Sequence, residues 1–123
     1  MIDAHLYSFL NENAELTALV SGRIYPMRLP QGSTADSIVY EIGDGFPDRN
    51  AVLTTHYITI NSYSTDYDRM RGLCATLSAL FQSYHGTIGT LSVASCGVQN
   101  SINTFEEEPS LYRNILTINL KTN

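Results

Sequence analysis

The stretch from Thr65 to Gly86, TDYDRMRGLCATLSALFQSYHG, organises the rest of this chain. Its apolar residues recur at steps of three and four, along one stripe of an α-helix, and they are Met70, Leu73, Cys74, Leu77, Leu80, Phe81 and Tyr84. Burial of one Leu, Met or Phe side chain contributes about 1.5–3 kcal/mol, so this helix must pack its stripe on another element. The alternating segments on either side predict that this element is a sheet.

Both ends of the predicted helix carry boundary signals. Thr65 followed by Asp68 is a capping-box pattern, and Asp66 and Asp68 place negative charge at the positive end of the helix dipole. At the other end, His85 lies in the last turn and Gly86 can adopt the left-handed conformation that ends a helix. The sequence therefore predicts a helix over this whole stretch.

The residues before this helix predict a helical start and then strands. Met1–Val20 is interpreted as helix in two pieces, with Asn13 as the N-cap of the second. The expected buried faces carry Ile2, Leu6, Phe9, Leu10, Leu16, Leu19 and Val20. Arg23–Pro30 is extended, and its prolines confine it to a sheet edge or a strap over the core. Ser37–Gly43 and Leu53–Tyr63 alternate in the manner of strands.

After the helix, the chain predicts two more extended segments. Thr87–Val98 is rich in β-forming residues, Asn100–Ser110 is interpreted as a loop, and Tyr112–Lys121 closes the chain as a strand. The order α-β-β-α-β-β predicts an α+β fold, with an antiparallel or mixed sheet of about four main strands and two helices packed on one face. The length of 123 residues predicts a single domain over residues 1–123.

Composition excludes several classes of function. The net charge is −5 and the seven Lys and Arg residues are scattered, which argues against recognition of nucleic acid. With no long apolar run and no leader pattern, we expect neither a membrane partner nor secretion. Cys74 and Cys96 are expected to be small core residues, because a disulfide needs an oxidising compartment that nothing else in the sequence indicates.

Signatures of catalysis and of metal binding are lacking. The sequence has no nucleophile elbow, HExxH, Walker A loop or CxxC motif. Gly43–Gly45 does not form a phosphate cradle, because the GxGxxG spacing fails at Asp48. Asp66, Asp68 and Glu106–Glu108 lack the spacing of a calcium loop, and the three histidines stand far apart. We therefore expect no enzyme activity, no catalytic residue, no cofactor and no metal.

Two loops carry residues typical of binding surfaces. Arg28–Asp36 and Gly43–Asn50 display an aromatic residue and arginines among small polar residues, which is the composition of binding anchors. The alternative is that Phe46 folds back onto its own hairpin. The predicted subunit or partner contacts are Arg28, Leu29, Asp44, Phe46, Pro47, Asp48 and Arg49.

The segment Gly22–Gly45, GRIYPMRLPQGSTADSIVYEIGDG, resembles the small tail-completion proteins of long-tailed bacteriophages, which include tail terminators and tail-to-head joining proteins. In that family a helix ending in L…LV-x-G-R-I/V-Y-P is followed by a Pro-Gln-Gly loop and a strand of the type P-x-V-V-Y. The matching residues here are Gly22–Pro26, Pro30–Gly32 and Ile38–Tyr40. Ser37 replaces the usual proline before the strand.

The resemblance implies a structural virion protein. It would form a homo-hexameric ring at the head-proximal end of the tail, after assembly in the host cytoplasm. Such a ring stops polymerisation of the tail tube and joins the tail to the head connector, so the implied partners are other copies of this chain, the tail tube protein and the head connector protein. The alternative is a small ligand-binding or enzymatic α+β domain with a cleft between helices and sheet.

Overall fold

Three helices pack against a mixed sheet in the computed structural model, which describes residues 2–21, 23–27, 35–43, 46–47, 54–82, 86–88, 91–106 and 111–122. The helices are α1 (Ile2–Asn11), α2 (Ala14–Val20) and α3 (Tyr67–Phe81). The strands are β1 (Ile24–Pro26), β2 (Ser37–Ile42), β3 (Phe46–Pro47), β4 (Thr54–Ser64), β5 (Gly86–Ile88), β6 (Leu91–Glu106) and β7 (Leu111–Thr122). None of the helices in the described part of the chain has the length and apolarity needed to span a membrane.

The sheet runs in the order β1-β2-β4-β7-β6-β5, and β3 pairs with β4 outside this path. β1 is parallel to β2, and the other pairs are antiparallel. The α+β class and the edge position of β1 are confirmed. The predicted count of four strands and two helices is wrong, because three short strands join the four long ones and the N-terminal pieces are separate helices. Short strands form mainly by pairing with long neighbours, so their own sequence pattern signals them weakly.

The apolar stripe of α3 covers the central strands. Five of its residues are buried, as predicted: Met70, Leu73, Cys74, Leu77 and Phe81. Below them, β4 and β7 contribute fully buried side chains from one face of the sheet, namely Ile58, Ile60, Leu116, Ile118 and Leu120. α1 and α2 add to the same core, so the three helices share one face of the sheet.

The start of α3 differs from the predicted capping box. The N-cap is Asp66, whose side chain accepts a hydrogen bond from the backbone N–H of Arg69 at 3.1 Å. The hydroxyl of Thr65 instead accepts a hydrogen bond from the Arg69 guanidinium at 3.2 Å. Asp is at least as good an N-cap as Thr, so the helix begins one residue later than the pattern around Thr65 predicts.

The end of α3 also differs from the prediction. The helix stops at Phe81, because Gln82 adopts an extended conformation with φ −64° and ψ 120°. The side-chain oxygen of Gln82 accepts a hydrogen bond from the backbone N–H of Val98 in β6, at 3.2 Å. Gly86 is therefore not a helix cap; it lies in β5 with φ 141°, a conformation that glycine adopts readily. The end of the helix thus coincides with a contact to a residue far along the chain.

The N-terminal helices confirm the predicted break. Asn13 caps α2, and its side-chain oxygen accepts a hydrogen bond from the backbone N–H of Leu16 at 3.0 Å. Leu16 and Val20 are buried, whereas Leu19 is exposed, so the prediction that Leu19 lies on the buried face is wrong. One residue corresponds to about 100° around a helix, so Leu19 points well away from the direction of Val20.

The predicted loop Asn100–Ser110 is largely strand. β6 continues to Glu106, and its last residues pair with the start of β7. Asn103 faces Asn114 and Phe105 faces Tyr112 across the two strands, and the Asn114 side-chain nitrogen donates a hydrogen bond to the Asn103 side-chain oxygen at 2.8 Å. These cross-strand contacts compensate for the low intrinsic β propensity of Asn and Ser.

The packing of α3 generates the first testable prediction. Leu77→Ala should lower the free energy of unfolding by about 2–5 kcal/mol, because Leu77 is fully buried and its truncation leaves a cavity. Leu19→Ala removes the same atoms from an exposed position and should change the free energy of unfolding by less than about 0.5 kcal/mol. Urea denaturation measures both. Equal effects of the two substitutions would contradict the assignment of the buried stripe.

Candidate functional site

The structure places only two of the seven predicted contact residues. Phe46 and Pro47 form β3, and their backbones pair with Thr55 and Thr54 of β4. Gly43–Asn50 is therefore not a loop throughout, because β4 holds part of it in the sheet. The other predicted residues lie outside the described part of the chain, and they are Arg28, Leu29, Asp44, Asp48 and Arg49. The contact role of all seven stays a prediction.

A polar cluster anchors the end of the first predicted binding loop. Asp36, just before β2, accepts a hydrogen bond from the Ser64 hydroxyl at 2.8 Å and forms an ion pair with Arg69 Nε at 3.0 Å. Arg23 Nε donates a hydrogen bond to the backbone carbonyl of Asp36 at 2.8 Å. We call Asp36, Ser64, Arg69 and Arg23 the Asp36 clasp. It joins the start of β1, the start of β2, the end of β4 and the first turn of α3.

The Asp36 clasp is absent from the sequence interpretation, which treats Asp36 only as the end of a polar loop. Its partners stand 13, 28 and 33 residues away from it along the chain, so no local pattern connects them. The one available signal is the spacing of Asp66 and Arg69, which places Arg69 in the first turn of α3 beside the end of β4.

The Asp36 clasp generates a stability prediction. Asp36→Ala should lower the free energy of unfolding by about 1–3 kcal/mol, because Ser64 is buried and loses a hydrogen-bond acceptor. The Arg69 side chain is 57% exposed, so solvent screens the ion pair and it contributes little of this loss. Urea denaturation at low and high salt measures the effect. Asp68→Ala is the control, because Asp68 is an exposed acid in the first turn of α3, next to Arg69. A loss of stability that vanishes at high salt would contradict its assignment to the hydrogen bond between Asp36 and Ser64.

His56 lies in β4 beside the last residues of β7. Its Nε2 is 3.2 Å from the Thr122 hydroxyl. Within the described residues Nδ1 is buried without a hydrogen-bond partner. Burial lowers the pKa of the His56 imidazole below its ordinary value of 6.5, so the ring is neutral at neutral pH. In the part of the chain that the structure describes, no three His, Cys, Asp or Glu residues converge on a possible metal position.

The lowered pKa of His56 predicts that stability falls with acidification. The unfolded chain binds more protons than the folded chain between the folded pKa and 6.5, so the free energy of unfolding increases with pH in that interval. The stability that neutral His56 contributes to the folded state is fully present above pH 6.5, and it is lost as the pH falls toward the pKa of His56 in the folded chain. Denaturation of wild type and His56→Gln across pH 5–8 measures it. A wild-type slope that His56→Gln leaves unchanged would assign the effect to another group.

Two shallow grooves lie on the described surface, and neither is a cleft between helices and sheet. One, of about 400 Å³, lies along β6 and β7 beside Gly97 and Lys121. The other, of about 340 Å³, lies between α2 and α3. Cys96 lines the first, and burial raises the pKa of its thiol to about 11, so it is not a thiolate nucleophile at neutral pH. Both cysteines are free and buried, as predicted.

An aromatic cluster lies where the β6–β7 hairpin meets the start of α3. The ring of Tyr112 is 5.5 Å from that of Tyr67 and 5.0 Å from that of Phe105, measured between centroids. Tyr67 and Phe105 are exposed. Exposed aromatic rings are enriched at protein interfaces. The sequence interpretation missed this surface because it assigned Phe105 to an acidic loop.

Comparison with known families supports a single assignment. The family model described as tail completion protein gp17 matches residues 4–122. The chain belongs to this tail completion family. A chain of the virion of a native gene transfer agent (GTA) particle has a similar fold, with a TM-score of 0.74 and 17% sequence identity over 97% of this chain and 92% of that chain. No curated protein shows a significant match.

Membership of the tail completion family confirms the resemblance that rests on Gly22–Gly45. The chain is a structural protein of a bacteriophage virion tail, and it is located in the virion. As a tail component it assembles with other tail or head proteins. Family membership favours a non-enzymatic role, in agreement with the lack of catalytic motifs in the sequence.

Proposed function

We propose that this tail completion protein forms a homo-hexameric ring on the head-proximal end of the tail tube. The ring stops tube polymerisation and joins the tail to the head connector, so its partners are its own copies, the tube protein and the connector protein. The observation that supports this role is the family match over nearly the whole chain, residues 4–122. No substrate, cofactor or catalytic residue belongs to the proposal.

The charge of the chain is compatible with a ring through which DNA passes. Each copy carries a net charge of −5, so the ring as a whole repels phosphate. A wall of that charge does not retain DNA on its surface. The alternative of a ligand cleft is less well supported, because apolar side chains fill the space between the helices and the sheet.

The two predicted binding loops are attached to rigid elements. The Asp36 clasp holds the end of Arg28–Asp36, and pairing of β3 with β4 holds the middle of Gly43–Asn50. Loops supported in this way can present side chains to a neighbour while the core stays unchanged. We therefore propose that these two loops contact the tail tube or a neighbouring subunit.

The experiment that tests the function is negative-stain imaging of the purified protein mixed with tail tubes. We expect density at one end of each tube and arrested elongation. Size-exclusion chromatography with light scattering, at several protein concentrations, should show an assembly of six times the 13.6 kDa monomer mass, in solution or after release from tubes. Tubes that elongate normally and carry no terminal density would contradict the proposal.

The second loop generates a separate prediction. The double substitution Asp48→Lys with Arg49→Glu reverses both charges and leaves the residues of β3 unchanged. The predicted contact role places both side chains on the surface, where substitutions usually alter stability by less than about 0.5 kcal/mol, so thermal melting should barely move while tube capping should be lost. Glu15→Lys, an exposed charge reversal on α2, is the control. Normal capping by the double variant would shift the predicted contact to Arg28–Asp36.

A further inference from the structure

We propose that neighbouring copies of this chain join edge to edge, with β1 of one copy pairing antiparallel to the end of β6 of the next. The inference rests on the ring of the proposed function and specifies its subunit contact. The support for it comes from the outer edges of β1 and β6, from the direction of their backbone N–H and C=O groups, and from the side chains that the pairing brings together.

Within the described residues, most of the outer edge of β6 is not paired with another strand. Among the described strands, only β5 pairs with it, and only at Leu91–Val93. From Leu91 to Phe105 the strand contains no proline and no charged residue. Proteins normally place prolines or charges on an edge strand to prevent pairing with another chain. An edge without them is suited to receive a strand.

The part of this edge that is available is the end of β6. Register shifts interrupt the strand between Val93 and Ser95 and between Val98 and Asn100, and a bulge of this kind disturbs the pairing of an edge. The Gln82 side chain also occupies the backbone N–H of Val98. Beyond the second shift, residues 100–106 pair with β7 without further interruption.

The direction of the backbone groups follows from one hydrogen bond. The N–H of Ser101 donates to the side-chain oxygen of Asn100 at 2.9 Å, so it is directed away from β7. In an antiparallel strand the N–H and C=O of one residue point to the same side, and the side alternates along the chain. The N–H and C=O groups of Asn103 and Phe105 therefore also point outward.

The outer edge of β1 offers matching groups. The carbonyl of Arg23 accepts a hydrogen bond from β2 at 3.0 Å, and the N–H of Met27 donates one to β2 at 2.9 Å. The residues between them alternate, so Ile24 and Pro26 point their backbone groups outward. Proline has no N–H, and this edge therefore offers the N–H and C=O of Ile24 and the C=O of Pro26.

One antiparallel register brings the two sets of groups together. With Ile24 opposite Phe105 of the next copy, these two residues exchange a reciprocal pair of hydrogen bonds. Pro26 then lies opposite Asn103, where the carbonyl of Pro26 accepts from the N–H of Asn103. Pro26 weakens this edge, as an edge proline does, because its missing N–H leaves one bond of the ladder unmade. Three backbone hydrogen bonds remain, two at Ile24 and one at Pro26.

The same register pairs complementary residues. Arg23 lies opposite Glu106, a pair of opposite charges, and no like charges face each other. The extended part of this edge ends at Pro26, because Met27 adopts a left-handed conformation with φ 72°. Ile102, which is 49% exposed, lies directly beyond the paired residues of β6, and its burial by the neighbouring copy favours the contact. This complementarity identifies a second copy of the chain as the occupant of the edge.

The two edges also agree in orientation. Ile24 belongs to the core under the helices, and Phe105 contacts Tyr112, whose ring packs on Tyr67 of α3. Both residues thus lie on the helix side of their sheets, and pairing them keeps the helices of successive copies on the same side. A contact between two different edges is head to tail, so it repeats from copy to copy and can close into a ring.

Disulfide trapping tests the register. In the proposed pairing Tyr25 lies opposite Thr104 in a non-hydrogen-bonded pair, with Cα atoms about 4.5 Å apart. A disulfide spans about 4.4–6.8 Å between Cα atoms, so Tyr25→Cys with Thr104→Cys in one chain should yield, on oxidation, a ladder of covalent oligomers ending at the ring size. Wild type should yield none, because Cys74 and Cys96 are buried. A mixture of the two single variants should stop at dimers.

A shifted pair is the matched control. Tyr25 and Ile102 are diagonal neighbours in the proposed register, with Cα atoms about 7–8 Å apart. Tyr25→Cys with Ile102→Cys should therefore yield far fewer oligomers than the pair with Thr104. Equal yields from both pairs would show non-specific collision and overturn the register.

A charge on the edge provides a readout without cysteine. Ile102→Lys should weaken association at least about tenfold, so that light scattering finds monomer where wild type is assembled. Tyr57→Lys is the control, because Tyr57 is 44% exposed but lies on the central strand β4. Both variants should keep the melting temperature of wild type measured at a dilution where wild type is monomeric, because assembly itself stabilises the folded chain. An assembled Ile102→Lys protein would overturn the contact.

The outcomes separate this inference from the proposed function. Rings on tail ends without the disulfide ladder would leave the function intact and overturn the edge contact. Dimers of Thr104→Cys alone, formed as readily as the paired oligomers, would indicate a two-fold contact between β6 strands and also overturn it. A protein that stays monomeric and is absent from tail ends would overturn the ring itself.

Discussion

The burial of one side of α3 against β4 and β7 is the contact on which every other element of this fold rests. Leu73, Leu77 and Phe81 meet the fully buried row that includes Ile60 and Ile118. β4 and β7 pair over eleven residues without a register shift, and this unbroken ladder gives the helix a continuous surface. The remaining strands add to either side of this pair, and α1 and α2 complete the cover.

This arrangement divides the molecule into a centre that provides stability and edges that are open to other proteins. In the described residues the centre is filled by buried apolar side chains, and the two shallow grooves lie outside it. The edges contain short strands, register shifts and exposed aromatic rings. Assembly with neighbours therefore need not disturb the core.

The sequence predicted those features that depend on residues close together in the chain. The stripe of α3, the helix break at Asn13 and the alternation of β4 and β7 each follow from spacing within one element. The features it missed depend on distant partners. α3 ends at Phe81, where Gln82 bonds to Val98, and β6 extends to Glu106 because it pairs with β7. Asp36 acquires its partners only when β2, β4 and α3 meet.

The candidate contact surfaces also differ in how far the sequence alone could predict them. Composition pointed to Gly43–Asn50, and the structure shows part of it held by β4 but leaves the roles of its side chains as predictions. The open edge of β6 was visible only as a long run without charge, which carries no meaning until its place at the edge of a sheet is known.

The Asp36 clasp determines how well this fold tolerates changes in chain length before β2. It brings Arg23 and Asp36 into contact, so the ends of the intervening segment are held together by residues outside it. Doubling the length of a closed loop costs only about 0.6 kcal/mol of chain entropy once its ends are fixed. Insertions and deletions between β1 and the Asp36 clasp should therefore change the free energy of unfolding only slightly. A change in the length of this segment therefore alters what the chain presents to a neighbour, while the sheet that carries it stays the same.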